Sequence, residues 1–196
     1  QISKTDILGN ELKGAELEIT GKETGSDKNI TPIIWTSGEE KTVDLKPGSY
    51  TLTETKVPAG YVKADPISFT VDAAGNVKVG ETKVDNITMV DSYAVHDIQI
   101  SKKDILGNEL EGAKLEITGR EDGSIDNIKP VQWTSGEEKT VSLRPGSYTL
   151  TEKEVPDGYV KAAPISFTVD AAGNVKVGEN KVDKLTMVDK YKENGV

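Results

Sequence analysis

The sequence predicts an all-β chain of two tandem β-sandwich domains, and three observations predict it. The chain of 196 residues repeats itself: QISKTDILGNELKGAELEIT opens it, and QISKKDILGNELEGAKLEIT begins at Gln99. The offset of 98 holds without a gap as far as Asp91 and Asp189, with about three-quarters of the aligned positions identical. A period this long is a whole domain rather than a solenoid repeat. Short runs rich in Val, Ile, Thr and Tyr alternate with turn signals, as strands do. No segment carries a helical period.

In the first copy the strands fall near 1–6, 14–20, 30–36, 40–46, 49–56, 66–72, 76–79 and 86–92. The first, QISKTD, stops at the LGNE turn, and the second, GAELEIT, follows it. The third carries Trp35 and the fourth, EKTVDLK, runs into KPGS. The fifth, SYTLTETK, stops at VPAGY. The sixth, PISFTVD, stops at DAAGN, the seventh is NVKV, and the eighth is NITMVDS. Gly, Pro, Asn and Asp mark each stop because they supply turn geometry. Strands this short, with turns every 8–12 residues, suit a sandwich. Trp35 and Trp133 are expected in the core. The boundary lies near Val95, giving units 1–94 and 95–196, joined by about four residues without a Gly, Ser or Pro run. A connection this short does not behave as a flexible coil, so restricted motion between the units is expected. The N-terminus shows no basic region followed by an apolar run and Gln1 falls inside a strand, so the chain is expected to be a piece of a longer protein.

Composition excludes several classes of function. Lys plus Arg number 24 against 33 Asp plus Glu, a net charge of −9, which suits neither nucleic acid nor anionic membrane. No stretch has the length and apolarity of a membrane span. The absence of cysteine removes disulfides, thiolate nucleophiles and Cys-based zinc sites. The single histidine, His96, aligns with Asn194, so a Ser-His-Asp triad cannot be the chemistry both copies share. His96 is read as a solvated linker residue.

Strand parity singles out six charged residues. Side chains alternate between the faces of a strand. Lys4 shares a face with Ile2, Glu54 with Tyr50 and Leu52, and Asp91 with Ile87 and Met89. The second copy repeats the pattern with Lys102, Glu152 and Asp189. At strand ends such charges reach water. Buried together, two carboxyls and one amine cannot all ionise without leaving net charge in the core. Burial favours the neutral forms. A neutral amine beside a protonated carboxyl is a nucleophile beside an electrophile, and a second carboxyl can carry protons between them. The product of their condensation is a Lys–Asp amide.

The same residues carry a family resemblance. The segments ISKTD…LGNELKGAELEI, PGSYTLTETKVPAGY, PISFTVDAAGNVKV and ITMVDSY, with ISKKD, PGSYTLTEKEVPDGY and LTMVDKY in the second copy, resemble CnaB-type domains of Gram-positive surface adhesins and pilins. The likeness spans essentially each whole copy and is particularly close to the isopeptide-forming domain of a streptococcal fibronectin-binding protein. It implies a prealbumin-like, inverse-immunoglobulin sandwich with a spontaneous intramolecular isopeptide bond. It places the crosslinked lysines at Lys4 and Lys102 and their partners at Asp91 and Asp189. The catalytic glutamates fall on Glu54 and Glu152. Many relatives have Asn where this chain has Asp, so water leaves here in place of ammonia. No YPKN-like pilin motif is read, Lys63 belonging to the PxGY box, and no LPXTG signal is read within the 196 residues, so any wall anchor is expected to lie outside them.

The expected function is a structural stalk or spacer of a cell-wall-anchored bacterial surface protein, outside the cell, monomeric, with neighbouring repeats as its partners. The alternative is an adhesive module that binds a host matrix protein directly. Turnover catalysis is not expected, because the chemistry consumes its own residues, and no cofactor or metal is called for. A calcium site at Asp6, Asn10 and Glu11, with Asp104, Asn108 and Glu109, has suitable oxygen donors, but DILGNE reads more simply as a strand-connecting turn.

Overall fold

The structure, a computed structural model, describes residues 1–194. The chain divides into two compact units, Gln1–Tyr93 and the residues from Ala94 onward. Each is an all-β sandwich, and no helix forms among the described residues.

The first unit contains β1 (Ile2–Asp6), β2 (Glu16–Glu23), β3 (Ile33–Thr36), β4 (Gly48–Lys56), β5 (Tyr61–Val62), β6 (Ile67–Val71), β7 (Val77–Val79), β8 (Thr82–Val84) and β9 (Ile87–Tyr93). One sheet has the order β1-β9-β5, the other β3-β2-β4-β6-β7-β8. The second unit contains β10 (His96–Asp104), β11 (Lys114–Glu121), β12 (Val131–Thr134), β13 (Lys139–Leu143) and β14 (Gly146–Glu154). It continues with β15 (Tyr159–Val160), β16 (Ile165–Val169), β17 (Val175–Val177), β18 (Asn180–Val182) and β19 (Leu185–Tyr191). Its sheets are β13-β10-β19-β15 and β12-β11-β14-β16-β17-β18.

First and last strands of each unit lie side by side and parallel. Ile2 pairs with Ile87, Lys4 with Met89 and Asp6 with Asp91, and β10 pairs with β19 in the same register. The opposite sheet is antiparallel, with β4 between β2 and β6. Alternation is clean where one face is covered. In β4, Gly48, Tyr50, Leu52 and Glu54 are buried, and in β9, Ile87, Met89, Asp91 and Tyr93 are. The core of the first unit includes Leu17, Ile19, Tyr50, Leu52, Phe69 and Met89.

Several expectations change. The strand expected at 40–46 does not form: only an isolated Ile2–Lys41 bridge marks it, whereas its counterpart β13 is a full strand. Two short strands were not expected from the sequence: β5, of two residues, and β8, which pairs with β7 directly after a two-residue turn. Trp35 and Trp133 are partly buried against the cores and not within them, because β3 and β12 are sheet edges. Only Ala94 and Val95 separate β9 from β10. His96 is not a solvated linker residue. It is the first, half-buried residue of β10, and its Nε2 lies 3.1 Å from the Ala171 carbonyl oxygen.

Candidate functional site

The six charges picked out by parity are all enclosed. Lys4 and Lys102 are 2 % exposed, and Glu54, Asp91, Glu152 and Asp189 are 0 % exposed. In each unit the lysine and aspartate stand on adjacent parallel strands of one sheet. The aspartate lies two positions beyond the lysine's register partner, so the long lysine side chain reaches it along the strand. The glutamate projects from the facing sheet, at the buried end of the Tyr50–Leu52–Glu54 row or its Tyr148–Leu150–Glu152 copy. The cluster therefore bridges the two layers of the sandwich.

Lys4 Nζ donates to Asp91 Oδ1 and lies 3.5 Å from Glu54 Oε2. Lys102 Nζ donates to Asp189 Oδ1 and lies 3.4 Å from Glu152 Oε1. The amide of Ala64 donates to Glu54 Oε2 at 3.0 Å, and that of Ala162 to Glu152 Oε2 at 2.9 Å. Glu54 Oε1, Asp91 Oδ2, Glu152 Oε1 and Asp189 Oδ2 are buried and accept no hydrogen bond. Unpaired carboxylate oxygens at such depth are costly. A proton on the glutamate lessens this cost, because a neutral carboxyl is cheaper to bury and the neighbouring aspartate carboxyl favours that form.

The electrostatics agree. Burial pushes the Glu54 carboxyl above the ordinary glutamate range. The Ala64 amide and the Lys4 charge oppose this, while the Asp91 carboxyl reinforces it. Glu152 is raised for the same reasons, with Ala162, Lys102 and Asp189 in those roles. An amine touching one carboxyl, with a protonated carboxyl beside both, can exchange protons and hold reacting atoms in contact.

Sequence reasoning missed the supporting residues. Pro58 and Gly60 turn the chain so that Tyr61 pairs with Tyr93 across β5 and β9, and three residues later Ala64 presents its amide to Glu54. The rings of Tyr61 and Tyr93 lie 5.3 Å apart, and those of Tyr159 and Tyr191 5.1 Å apart. Burial raises the Tyr61 phenol, with the charges of Asp6 and Asp91 adding to the effect. Both donors are backbone amides ten residues beyond their glutamate, so no residue type marks them in the sequence.

The DILGNE residues weighed for calcium make a turn. Asp6 Oδ1 accepts from the Leu8 and Asn10 amides at 2.9 and 3.0 Å, and Oδ2 accepts from Asn10 Nδ2 at 3.2 Å. Asp104 does the same with Leu106 and Asn108. Among the described residues no group of three or more His, Asp or Glu is placed to hold a metal ion.

Comparison with known proteins fixes the family. Residues 1–85 and 96–182 each match the SpaA prealbumin-like fold domain. The chain belongs to the SpaA prealbumin-like domain family. No curated protein matches it in sequence. Among solved structures, this SpaA-family chain is similar to the C-terminal fragment of pilus adhesin SpaC from Lactobacillus rhamnosus GG. The identity is 17 %, covering 100 % of this chain and 98 % of that one, with a TM-score of 0.46. A streptococcal ancillary pilin is 21 % identical over 98 % of this chain and 62 % of that one, TM-score 0.41. The shaft pilin SpaA from Lactobacillus rhamnosus GG is 18 % identical over 95 % and 88 %, TM-score 0.37. The family match, and not these looser superpositions, carries the assignment.

Proposed function

We propose that this chain is a structural stalk or spacer module, of CnaB type, in a cell-wall-anchored bacterial surface protein. Each domain is rigidified by one autocatalytic isopeptide bond, Lys4 to Asp91 and Lys102 to Asp189. The observation that carries the reading is the same in both domains: a buried lysine Nζ in contact with an aspartate Oδ1, beside a glutamate whose burial favours its protonated form.

The condensation balances without a cofactor. A proton passes from the lysine ammonium to the aspartate carboxylate, leaving a neutral amine and a carboxylic acid. The amine nitrogen attacks the aspartate Cγ, and the C–N bond forms. The glutamate delivers its proton to the departing hydroxyl and takes one from the nitrogen, ending as it began. One water leaves, and two charges disappear from the core. Contact between the reactants supplies the proximity such a reaction needs. The reaction occurs once per domain and does not turn over.

Membership in a prealbumin-like family and the residue-level likeness to CnaB-type adhesin domains support an extracellular location. They also support neighbouring repeats, or other subunits of a surface fibre, as the partners. The test is the intact mass of the denatured chain. A chain two water molecules lighter than its sequence mass is expected. The full sequence mass would overturn the reading.

A further inference from the structure

One region differs between two domains of nearly the same sequence. In the second, β10 starts at His96, three residues before Gln99, the counterpart of Gln1. These leading residues pair antiparallel with β13: His96 with Leu143, Asp97 with Ser142 and Ile98 with Val141. Ile98 is 2 % exposed and belongs to the core. Ser142 Oγ donates to Asp97 Oδ1 at 2.6 Å. The His96 ring lies over Gly173, where a Cβ would sit 2.6 Å from it.

In the first domain the segment 42–46 forms no strand. Val43, Leu45, Val71 and Val77 are only half-buried, and with Ile2 and Phe69 they line an open groove of about 300 Å³. Their counterparts Val141, Leu143, Val169 and Val175 are 2–6 % exposed. Gly75, the counterpart of Gly173, also lines the groove, with nothing within 4 Å of where its Cβ would be. The Ile2–Lys41 pair exchanges both of its backbone hydrogen bonds. The alternation of an antiparallel ladder then turns the Val43 and Leu45 amides toward the same edge.

We propose that this groove is a strand-acceptor site for an extended segment running ahead of Gln1 in line with β1. Its residue facing Val43 is apolar, as Ile98 is opposite Val141. Its residue facing Asp44 is basic or carries a hydroxyl. Asp44 stands where the second domain has Ser142, and Asp85 also lines the groove, so an acidic residue there meets like charge. The binding mode is β-augmentation, with backbone pairing for affinity and alternate side chains for selectivity. The residues leading into such a domain are then part of its fold. The inference does not rest on the crosslink, since its readout lies away from Lys4, Glu54 and Asp91.

The test extends the whole chain ahead of Gln1 with Val-His-Lys-Ile, Val-His-Asp-Ile or Val-His-Lys-Asp. Amide hydrogen exchange is read at Val43 and Leu45, with Val141 and Leu143 as internal references. Val-His-Lys-Ile should slow exchange at Val43 and Leu45 by about tenfold or more. Val-His-Asp-Ile should slow it less, and Val-His-Lys-Asp not at all. Unchanged exchange with Val-His-Lys-Ile overturns the proposal. Equal slowing by all three extensions also overturns it, because added chain and not a seated apolar strand would then be the cause.

Discussion

A glutamate enclosed between two sheets, with one amide donor and one carboxylate oxygen that accepts no hydrogen bond, is better accommodated neutral than charged. Glu54 is in that situation and Glu152 repeats it. If these carboxyls shuttle the proton, Glu54→Ala should leave a folded first domain without its amide. The denatured variant would then be one water molecule lighter than its sequence mass, with the second domain supplying that loss. Loss of two waters from the variant would remove Glu54 from the reaction. The raised Glu54 carboxyl also has a consequence for stability. Lys4→Met abolishes the crosslink and removes the cation that lowers Glu54. The folded state then favours the protonated glutamate more than the unfolded state does. That contribution is full below the ordinary glutamate range and is lost as pH rises through the raised value. The melting temperature of the first domain in Lys4→Met should therefore climb, relative to Lys4→Met/Glu54→Gln, as pH falls from about 7 toward about 4. Calorimetry of the two variants measures this. A difference that stays flat across that range would contradict the assignment.

Strands were legible in this sequence to the extent that one face is buried and the other wet. β4 alternates from Gly48 to Thr55 and β9 throughout, so Glu54 and Asp91 could be placed on the inner face from their neighbours alone. In β1 all five residues are buried, and Lys4 was assigned by parity with Ile2 although the strand itself shows no parity. The segment 40–46 has the composition of a strand, but pairing decides whether it becomes one. Its copy β13 is held by residues His96–Ile100, and composition does not report pairing partners. The Ala64 and Ala162 donors were invisible because a backbone amide leaves no mark on residue type. Loops between strands rest on single polar side chains in the same way. Ser37 Oγ accepts from the Ala15 amide at 2.9 Å and donates to the Leu12 carbonyl at 2.6 Å, all buried, and Ser135 repeats this with Ala113 and Leu110. Ser37→Ala strands a buried donor and a buried acceptor together. A loss of about 1–3 kcal/mol is expected in the first domain, measurable by urea unfolding. A change under about 0.5 kcal/mol would mean that water replaces the hydroxyl.

The parallel pairing of first and last strands decides how each domain carries load. Force applied at the start of β1 and the end of β9 acts at opposite ends of two neighbouring strands, so it shears their ladder. Hydrogen bonds loaded in shear resist together and then fail together. The proposed Lys4–Asp91 link would join those same two strands, whose side chains already meet, and would take the load directly, and Lys102–Asp189 would do so for β10 and β19. The lysine and aspartate are 87 positions apart in each domain, so a closed bond withholds the chain between them from extension. In the loop-entropy picture, a crosslink of that span also stabilises by up to about 4–5 kcal/mol. Lys4→Ala should accordingly lower the melting temperature of the first domain by about 15 °C or more and leave the second unchanged. Pulling the chain by its ends in a force spectrometer gives the sharper test. With both bonds closed, neither domain should release the chain between its crosslinked residues at any force that spares covalent bonds. Opening one site with Glu54→Ala should add a single unfolding step. At about 3.3–3.6 Å per residue, the loop between Lys4 and Asp91 should yield roughly 280–310 Å of contour. The Glu54→Ala/Glu152→Ala double variant should show two such steps. Steps of that length in the unaltered chain would mean that the buried lysines and aspartates remain ion pairs, and the stalk reading would lose its mechanical basis.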